Sequence, residues 1–491
     1  MSYVNKNSKN DSSLDNAKNG LKRSLKNRHV QLIALGGIIG SCYFLGTGTV
    51  IRNVGPGAVF AYLLGGAALY FVMICLSELA VAMPVSGSFI TYASEFVSPA
   101  WACGVGWSYF ISWAVYIPSE CLAAGIIMHS FFPLANQYIW AVVFGLIITF
   151  MNLTHVKAFG EIEFWLTLVK IFGLIFFSVL AIFIFFGVIH GSKPAHIIGT
   201  ENLLKKGGLF PLGMMAIISN MVMLMVNYQG AEILGLTAGE TKNPEKVIPS
   251  AVKSVFFQII VLYLIPVLLL VVILPWNEAN LSRSVFSTAL YRYGLRWAGG
   301  FFSFITLTAA ISCANSGMYA SVRALYALGQ KRMAPKFFTK LSKNSVPAVA
   351  TIFTIVCVWI FLACGFFFSA SSAFVALLSI SGFTGTICSI SICWSQLNFR
   401  KRLKHSGYTA ESLSYKTPAS PYTAHLGIWI QVICLAFSLF SSELRIAFYV
   451  GVPVLITPII LYKMIKKQPN NLNDDKQEVS LFESTFPTKI K

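Results

Sequence analysis

The sequence predicts an all-α polytopic membrane protein with twelve transmembrane helices, and three observations predict it. Only 11% of the 491 residues are charged while 56% are hydrophobic, and mean hydropathy is +0.69. A soluble domain carries about 25% charged residues, so this chain cannot coat a water-facing surface. Apolar runs of about 20 residues, the length that crosses a bilayer, recur along the chain. Lys and Arg concentrate in alternate loops, as the positive-inside rule requires. The runs are continuously apolar rather than alternating every second residue, which argues against a β-barrel.

In order, the spans are expected at about 30–51, 57–82, 100–131, 137–155, 162–190, 210–238, 254–276, 297–329, 347–368, 371–399, 424–442 and 445–466. The runs beginning at 297 and 371 are long enough to include interfacial helix. Residues 1–28 are polar and contain no apolar stretch of the signal-peptide kind. The expected organisation is a cytoplasmic disordered tail over 1–28, a transporter domain over 29–468 and a second cytoplasmic tail over 469–491. With both ends inside, most of the 37 Lys and Arg residues fall on the inner side. The outer side receives only Arg52, Lys193, Lys205, Lys206, Arg283, Arg292, Arg296 and Arg445, and Lys170 lies within a span. The net charge of +19 is therefore a topology signal and not a nucleic-acid footprint,. The ten cysteines all fall within spans without a C-x-x-C pair, so neither disulfide nor metal chemistry is indicated,.

A carrier must expose polar groups at membrane depth, and backbone supplies them only where a helix is interrupted. The first span holds Gly36, Gly37 and Gly40 around Ile38 and Ile39, each glycine costing about 1 kcal/mol of helix propensity. Five spans later, Asn227-Tyr228-Gln229-Gly230-Ala231-Glu232 places a glycine among polar residues at comparable depth. Paired interruptions of this kind mark inverted repeats, here spans one to five and six to ten, with the last two spans accessory. Such breaks suit a zwitterion. Amides near Gly37, Ile38 and Gly40 would meet a carboxylate at the positive end of a helix, and carbonyls near Ala34, Leu35, Val226 and Asn227 would meet an ammonium. Close helix packing by small residues is the plainer explanation of either glycine cluster alone.

Ionisable residues inside a span are costly and point to function. Lys170 lies about two turns into the fifth span, too deep to reach the surface easily, and is the candidate for proton coupling. A fixed pairing with a buried carboxylate is its structural alternative. Glu232 follows the sixth-span interruption and is placed on the pathway. Glu120, two residues after Pro118, is placed in the pocket, where it would attract a cationic side chain. Glu78 sits near the inner end of span two, where bracing a loop or gate is expected. Ser312, Asn315, Ser316 and Tyr319 form a polar cluster in the eighth span.

Several landmarks resemble a known family. They are Arg28 to Gly40, Ser77 to Phe89, Gly160 to Trp165 with Lys170, Gln229 to Glu232, Ala238 to Pro244 and Asn315 to Ser321. In that order they look like the amino acid permeases of the amino acid–polyamine–organocation superfamily, and among those the bacterial lysine-specific permeases. The resemblance implies a LeuT-type fold with 5+5 inverted repeats plus two accessory helices. It also implies proton-driven uptake, a substrate site at the breaks of spans one and six, and a role for Lys170 where related carriers bind sodium. Asn227 and Tyr228 depart from the lysine-permease pattern. Glu120 stands where an aspartate is common, and glutamate there also occurs in carriers of neutral amino acids.

The expected function is secondary active import of an amino acid, by proton symport, with a cationic amino acid such as lysine as substrate. Import of neutral amino acids, or amino acid exchange, is the alternative. The partners are the amino acid and the lipid bilayer of the inner or plasma membrane, with no cofactor beyond the proton as coupling ion. A major facilitator would show two halves of six spans without matched breaks. A membrane-embedded enzyme would need clustered nucleophiles or histidines, and the seven histidines are scattered,.

Overall fold

The computed structural model describes residues 38–85, 87–154, 159–191, 197–198, 200–204, 207–238, 244–342, 346–466 and 480–487. Among these residues the chain is helical throughout, apart from one isolated bridge between Leu341 and Pro347. Nine stretches of described helix are long and apolar enough to cross a membrane.

Three of the twelve expected spans are not among these nine as separate runs. Spans one and two form one 41-residue run, Cys42–Ala82, because only a 3-10 turn at Gly55–Gly57 divides them. Gly55 takes a positive φ of 81° there, a backbone state that glycine adopts without penalty. The fourth span is the helix Gln137–Thr154, which runs up to residues outside the described ones. The sixth is not one helix.

Long struts form the centre. The third span, Pro99–Phe131, has 33 residues, starts on a Ser98 cap whose Oγ accepts the Trp101 amide at 3.1 Å, and carries Pro118 inside. At 1.5 Å per residue it measures about 50 Å, more than a hydrocarbon core of about 30 Å. It packs along the eighth span, Arg296–Gln330, and the tenth, Ala370–His405. Burial of 94% of its apolar window identifies it as the core element, whereas the twelfth span, Arg445–Lys466, has only 6% of its window buried. Exposed Ile446, Tyr449, Ile456 and Ile460 give that last span the surface a lipid would cover,.

Between spans two and three lies a short helix, Ser88–Phe96, entered through Gly87 at φ 83°. It packs on span three, on span ten and on the second half of span six. Part of the segment expected as a tail over 469–491 packs on the bundle. Leu481–Thr485 is helical, and Phe482 is only 1% exposed against the bundle.

Candidate functional site: two interrupted helices

Both expected interruptions are present in the described residues. Ile38 is helical, Ile39 and Gly40 are not, and the first span resumes at Ser41 with a π-helical turn over Cys42–Gly46. Gly36 and Gly37 lie outside the described residues, as do Ala34 and Leu35. In the sixth span, helix Met215–Met225 tightens into a 3-10 turn at Val226–Tyr228. Gln229 is then extended and Gly230 sits at φ 111°. The helix restarts at Ile233–Ala238 with three-residue bonds such as Gly235 N–H to Glu232 carbonyl at 2.9 Å. The break therefore begins after Asn227 and Tyr228 and ends at Glu232.

The freed backbone of span one is met by side chains from three other spans. The Ile39 carbonyl accepts from Lys170 Nζ at 3.1 Å, and Lys170 also donates to Ser312 Oγ at 2.8 Å. The Ile38 carbonyl accepts from the Tyr263 hydroxyl at 3.1 Å. The Ser41 amide donates to both oxygens of Glu120, at 3.2 and 3.1 Å. One short stretch of backbone thus holds an ammonium on a carbonyl and a carboxylate on an amide. Gly40 makes the approach feasible, since a Cβ there would collide with the Tyr116 hydroxyl and the Glu120 carboxylate.

Lys170 is wholly buried, and its charge is balanced by Glu163, whose Oε1 lies 4.0 Å from Nζ. Ser312 joins the two, accepting from Lys170 and donating to Glu163. Sequence reading missed Glu163 as a functional group because it lies near the start of the fifth span. The signal that finds it is spacing. Residues seven apart on a helix share a face, which aligns Glu163 with Lys170.

Tyr43, Tyr62, Tyr228 and Tyr263 form a buried aromatic group that links spans one, two, six and seven. Tyr43 and Tyr263 have centroids 4.3 Å apart, and Tyr228 stacks on Tyr263 at 5.1 Å. The π-helical stretch Ile259–Leu264 loosens the seventh span here,, and the Tyr263 carbonyl accepts from the Tyr43 hydroxyl at 3.2 Å. Asn227 Nδ2 donates to the Tyr62 hydroxyl at 2.7 Å, while its buried Oδ1 has no partner among the described residues. Isolated tyrosines in apolar runs gave no hint of this cluster.

Gly230 and Glu232 serve a different side of span six. Glu232 accepts from the Gly230 amide at 2.9 Å and from the Tyr109 hydroxyl at 3.2 Å. Tyr109 lies about 16 Å along span three from Glu120, so the two carboxylates are not in one cluster. Glu232 instead borders a cavity of about 30 Å³, room for about two waters, together with Met73, Met225, Gln229 and Thr386. Gln229 is fixed by Ser112 at 2.7 Å and Ser381 at 3.0 Å. Glu78 braces the bundle end, as expected. It is buried and takes a two-pronged pair from Arg400, both at 2.6 Å, plus the Gln396 amide at 3.0 Å and the Thr417 backbone amide at 2.5 Å. In span eight, Asn315 Oδ1 accepts from Asn152 at 3.1 Å.

A helical bundle with a lipid-facing belt and two broken helices at its centre defines a membrane transporter. Solved structures of this fold include a mutant of the manganese transporter of Eremococcus coleocola, with a TM-score of 0.56 over 89% of this chain and 94% of that one. Sequence identity to it is 13%, so the likeness is one of fold alone. The chain belongs to the amino acid permease family, whose model matches residues 29–474. It is 36% identical over 470 residues to the amino-acid permease RocC of Bacillus subtilis (strain 168), covering 95% of this chain and 99% of the relative. It is 34% identical over 468 residues to the lysine-specific permease LysP of Escherichia coli (strain K12), covering 91% and 94%. The molecule is accordingly an integral membrane transporter and not an enzyme.

Proposed function

We propose that this permease imports a cationic amino acid such as lysine by proton symport across the inner or plasma membrane. Its carrier domain spans 29–468 with twelve helices in a LeuT-type 5+5 inverted repeat, the last two spans are accessory, and both tails are cytoplasmic. The observation that carries the reading is the stretch Ile39–Ser41, whose carbonyl holds an ammonium and whose amide holds a carboxylate. An amino acid presents the same two groups. In this structure Lys170 and Glu120 fill those places, and the substrate displaces them on binding. Residues 36–40 then hold the α-carboxylate and α-ammonium of the substrate. Asn227 and Tyr228 contact it through the tyrosine group, where Asn227 Oδ1, without a partner among the described residues, offers an acceptor.

Lys170 is the coupling residue in this reading. Displaced from Ile39, it changes both partner and access to water, so proton and substrate favour the same conformation through differential affinity. Glu120 supplies the negative charge that selects a cationic side chain. Glu232 shapes the second break and is the next residue to test for coupling.

One observation favours a second reading, import or exchange of neutral amino acids. Both Glu120 and Glu232 are engaged by backbone amides rather than open to a ligand, and a relative 36% identical over 416 residues is named a gamma-aminobutyric acid permease. Uptake of labelled lysine, arginine, alanine, threonine and leucine into proteoliposomes, with and without an acidic exterior, separates the readings. Lysine uptake that rises with the proton gradient supports the first. No inhibition of alanine uptake by excess lysine ends it.

A further inference from the structure

The end of the bundle that carries the Glu78 brace also carries a docking surface, and a segment of the chain's own tail occupies it. Phe482 packs against both Phe96 of the short helix Ser88–Phe96 and Phe399 of span ten, each with centroids 6.1 Å away, beside a direct contact between those two rings at 5.5 Å. Arg402 lies over the Phe482 ring at 4.7 Å. The same guanidinium donates to Glu95 at 2.8 Å, to Ser480 Oγ at 2.9 Å and to Glu483 at 3.1 Å. Ser480 Oγ donates to Glu95 at 2.6 Å, and Tyr408 donates to the Pro487 carbonyl at 2.9 Å. Phe486 closes the group against Tyr408 at 5.5 Å.

These contacts tie three elements together: the tail, the short helix and span ten. The short helix in turn sits under the half of span six that follows the break, where a Cβ on Gly235 would approach Ser88 Oγ to 2.6 Å. We propose that residues 480–487 are a reversible latch: docked, they hold the helix Ser88–Phe96 against span ten and so keep the second half of span six closed on that side. The segment is small and rests on one buried aromatic anchor and one arginine hub, which suits a contact that forms and breaks. Undocking removes the tail's share of these contacts and leaves the short helix on span ten through the Arg402–Glu95 pair at 2.8 Å, the Phe96–Phe399 contact at 5.5 Å and the Asn398 side chain on the Phe96 carbonyl at 2.7 Å. A ligand or partner that binds the free tail would therefore shift the carrier toward the state open on that face, by ordinary linkage.

The test compares the full-length carrier in proteoliposomes with a chain ending at Val479 and with Phe482→Ala. One readout is counterflow of an equimolar mixture of labelled lysine, histidine, threonine and alanine. The other is maleimide labelling of Ser88→Cys placed in each background, with labelling of the parent chain subtracted because Cys364 is exposed. Ser88 is fully buried at the joint between the short helix and span six, so its labelling reports opening directly. Both readouts are expected to rise about fivefold or more, the size of a typical coupling. A synthetic peptide of residues 480–491 should return the shortened carrier to the full-length rates. Unchanged labelling and counterflow in both variants overturn the proposal. Failure of both to fold overturns it equally, since the segment would then be a permanent part of the core. If the full-length carrier moves none of the four amino acids, the transport reading fails by itself and the labelling still decides the latch.

Discussion

At the scale of single residues, charge inside apolar runs was the readable signal. Lys170 and Glu120 stood out because a buried charge is costly unless paired, and the structure brings both to the first-span break. Ser312, read from the sequence as part of a polar cluster in span eight, proves to be a partner of Lys170. Glu163 was not anticipated, because a carboxylate near a span end reads as interfacial until its partner two turns along the same face is seen. Glu232 was readable as a residue but not in its orientation, since its carboxylate turns back onto the Gly230 amide of its own loop. Glu120→Gln tests the selectivity assigned to that side chain. Loss of a charge-assisted hydrogen bond is worth about 1.5–3 kcal/mol, so KM for lysine should rise by about 10-fold or more while KM for alanine holds. Equal changes for both would assign Glu120 to the backbone of span one alone.

Most elements were legible in place, but not all their ends: the seventh-span helix begins at Pro244, well before the expected 254, and the tenth runs on to His405. Glycines among apolar residues marked both breaks, and the sixth-span break falls slightly later than expected because Gly230 supplies the left-handed turn that ends it. A β-branched residue there meets about 1–3 kcal/mol of backbone strain. Gly230→Val should therefore lose substrate uptake while the protein remains in the membrane, and normal uptake by that variant would remove the second break from the site. The Glu78–Arg400 pair makes a separate prediction. Removing one partner of a buried pair costs about 3 kcal/mol or more, so Arg400→Met should lower the unfolding temperature in detergent. Glu78→Gln combined with Arg400→Met should recover part of the loss; an additive double variant would mean the pair contributes little. The helices Ser88–Phe96 and Leu481–Thr485 were not legible as elements, because their apolar residues are few and their helicity depends on tertiary contacts.

For the whole molecule, the sequence carried the class through composition, the family through ordered landmarks, and the proposed orientation through the placement of Lys and Arg. The number of crossings was harder to read. A 3-10 turn between spans one and two and a broken sixth span each blur a count based on length. With both tails on one side, an impermeant protease added to right-side-out vesicles should spare tags at residues 1 and 491 alike, and cutting of just one tag would contradict an even number of spans.

The claim on which the rest depends is that the ammonium bridging Ile39 and Ser312 links proton movement to substrate movement. Lys170→Arg keeps a positive charge but cannot release a proton, because arginine stays protonated in proteins. The deciding measurement is accumulation of labelled lysine in vesicles as external pH falls from about 8 to 6, for the native chain and for Lys170→Arg. The native carrier should concentrate substrate increasingly as the exterior acidifies, while Lys170→Arg should bind or exchange it without concentrating it. Accumulation by Lys170→Arg against the gradient with the native pH profile would contradict the claim, leaving Lys170 as a fixed structural cation paired with Glu163.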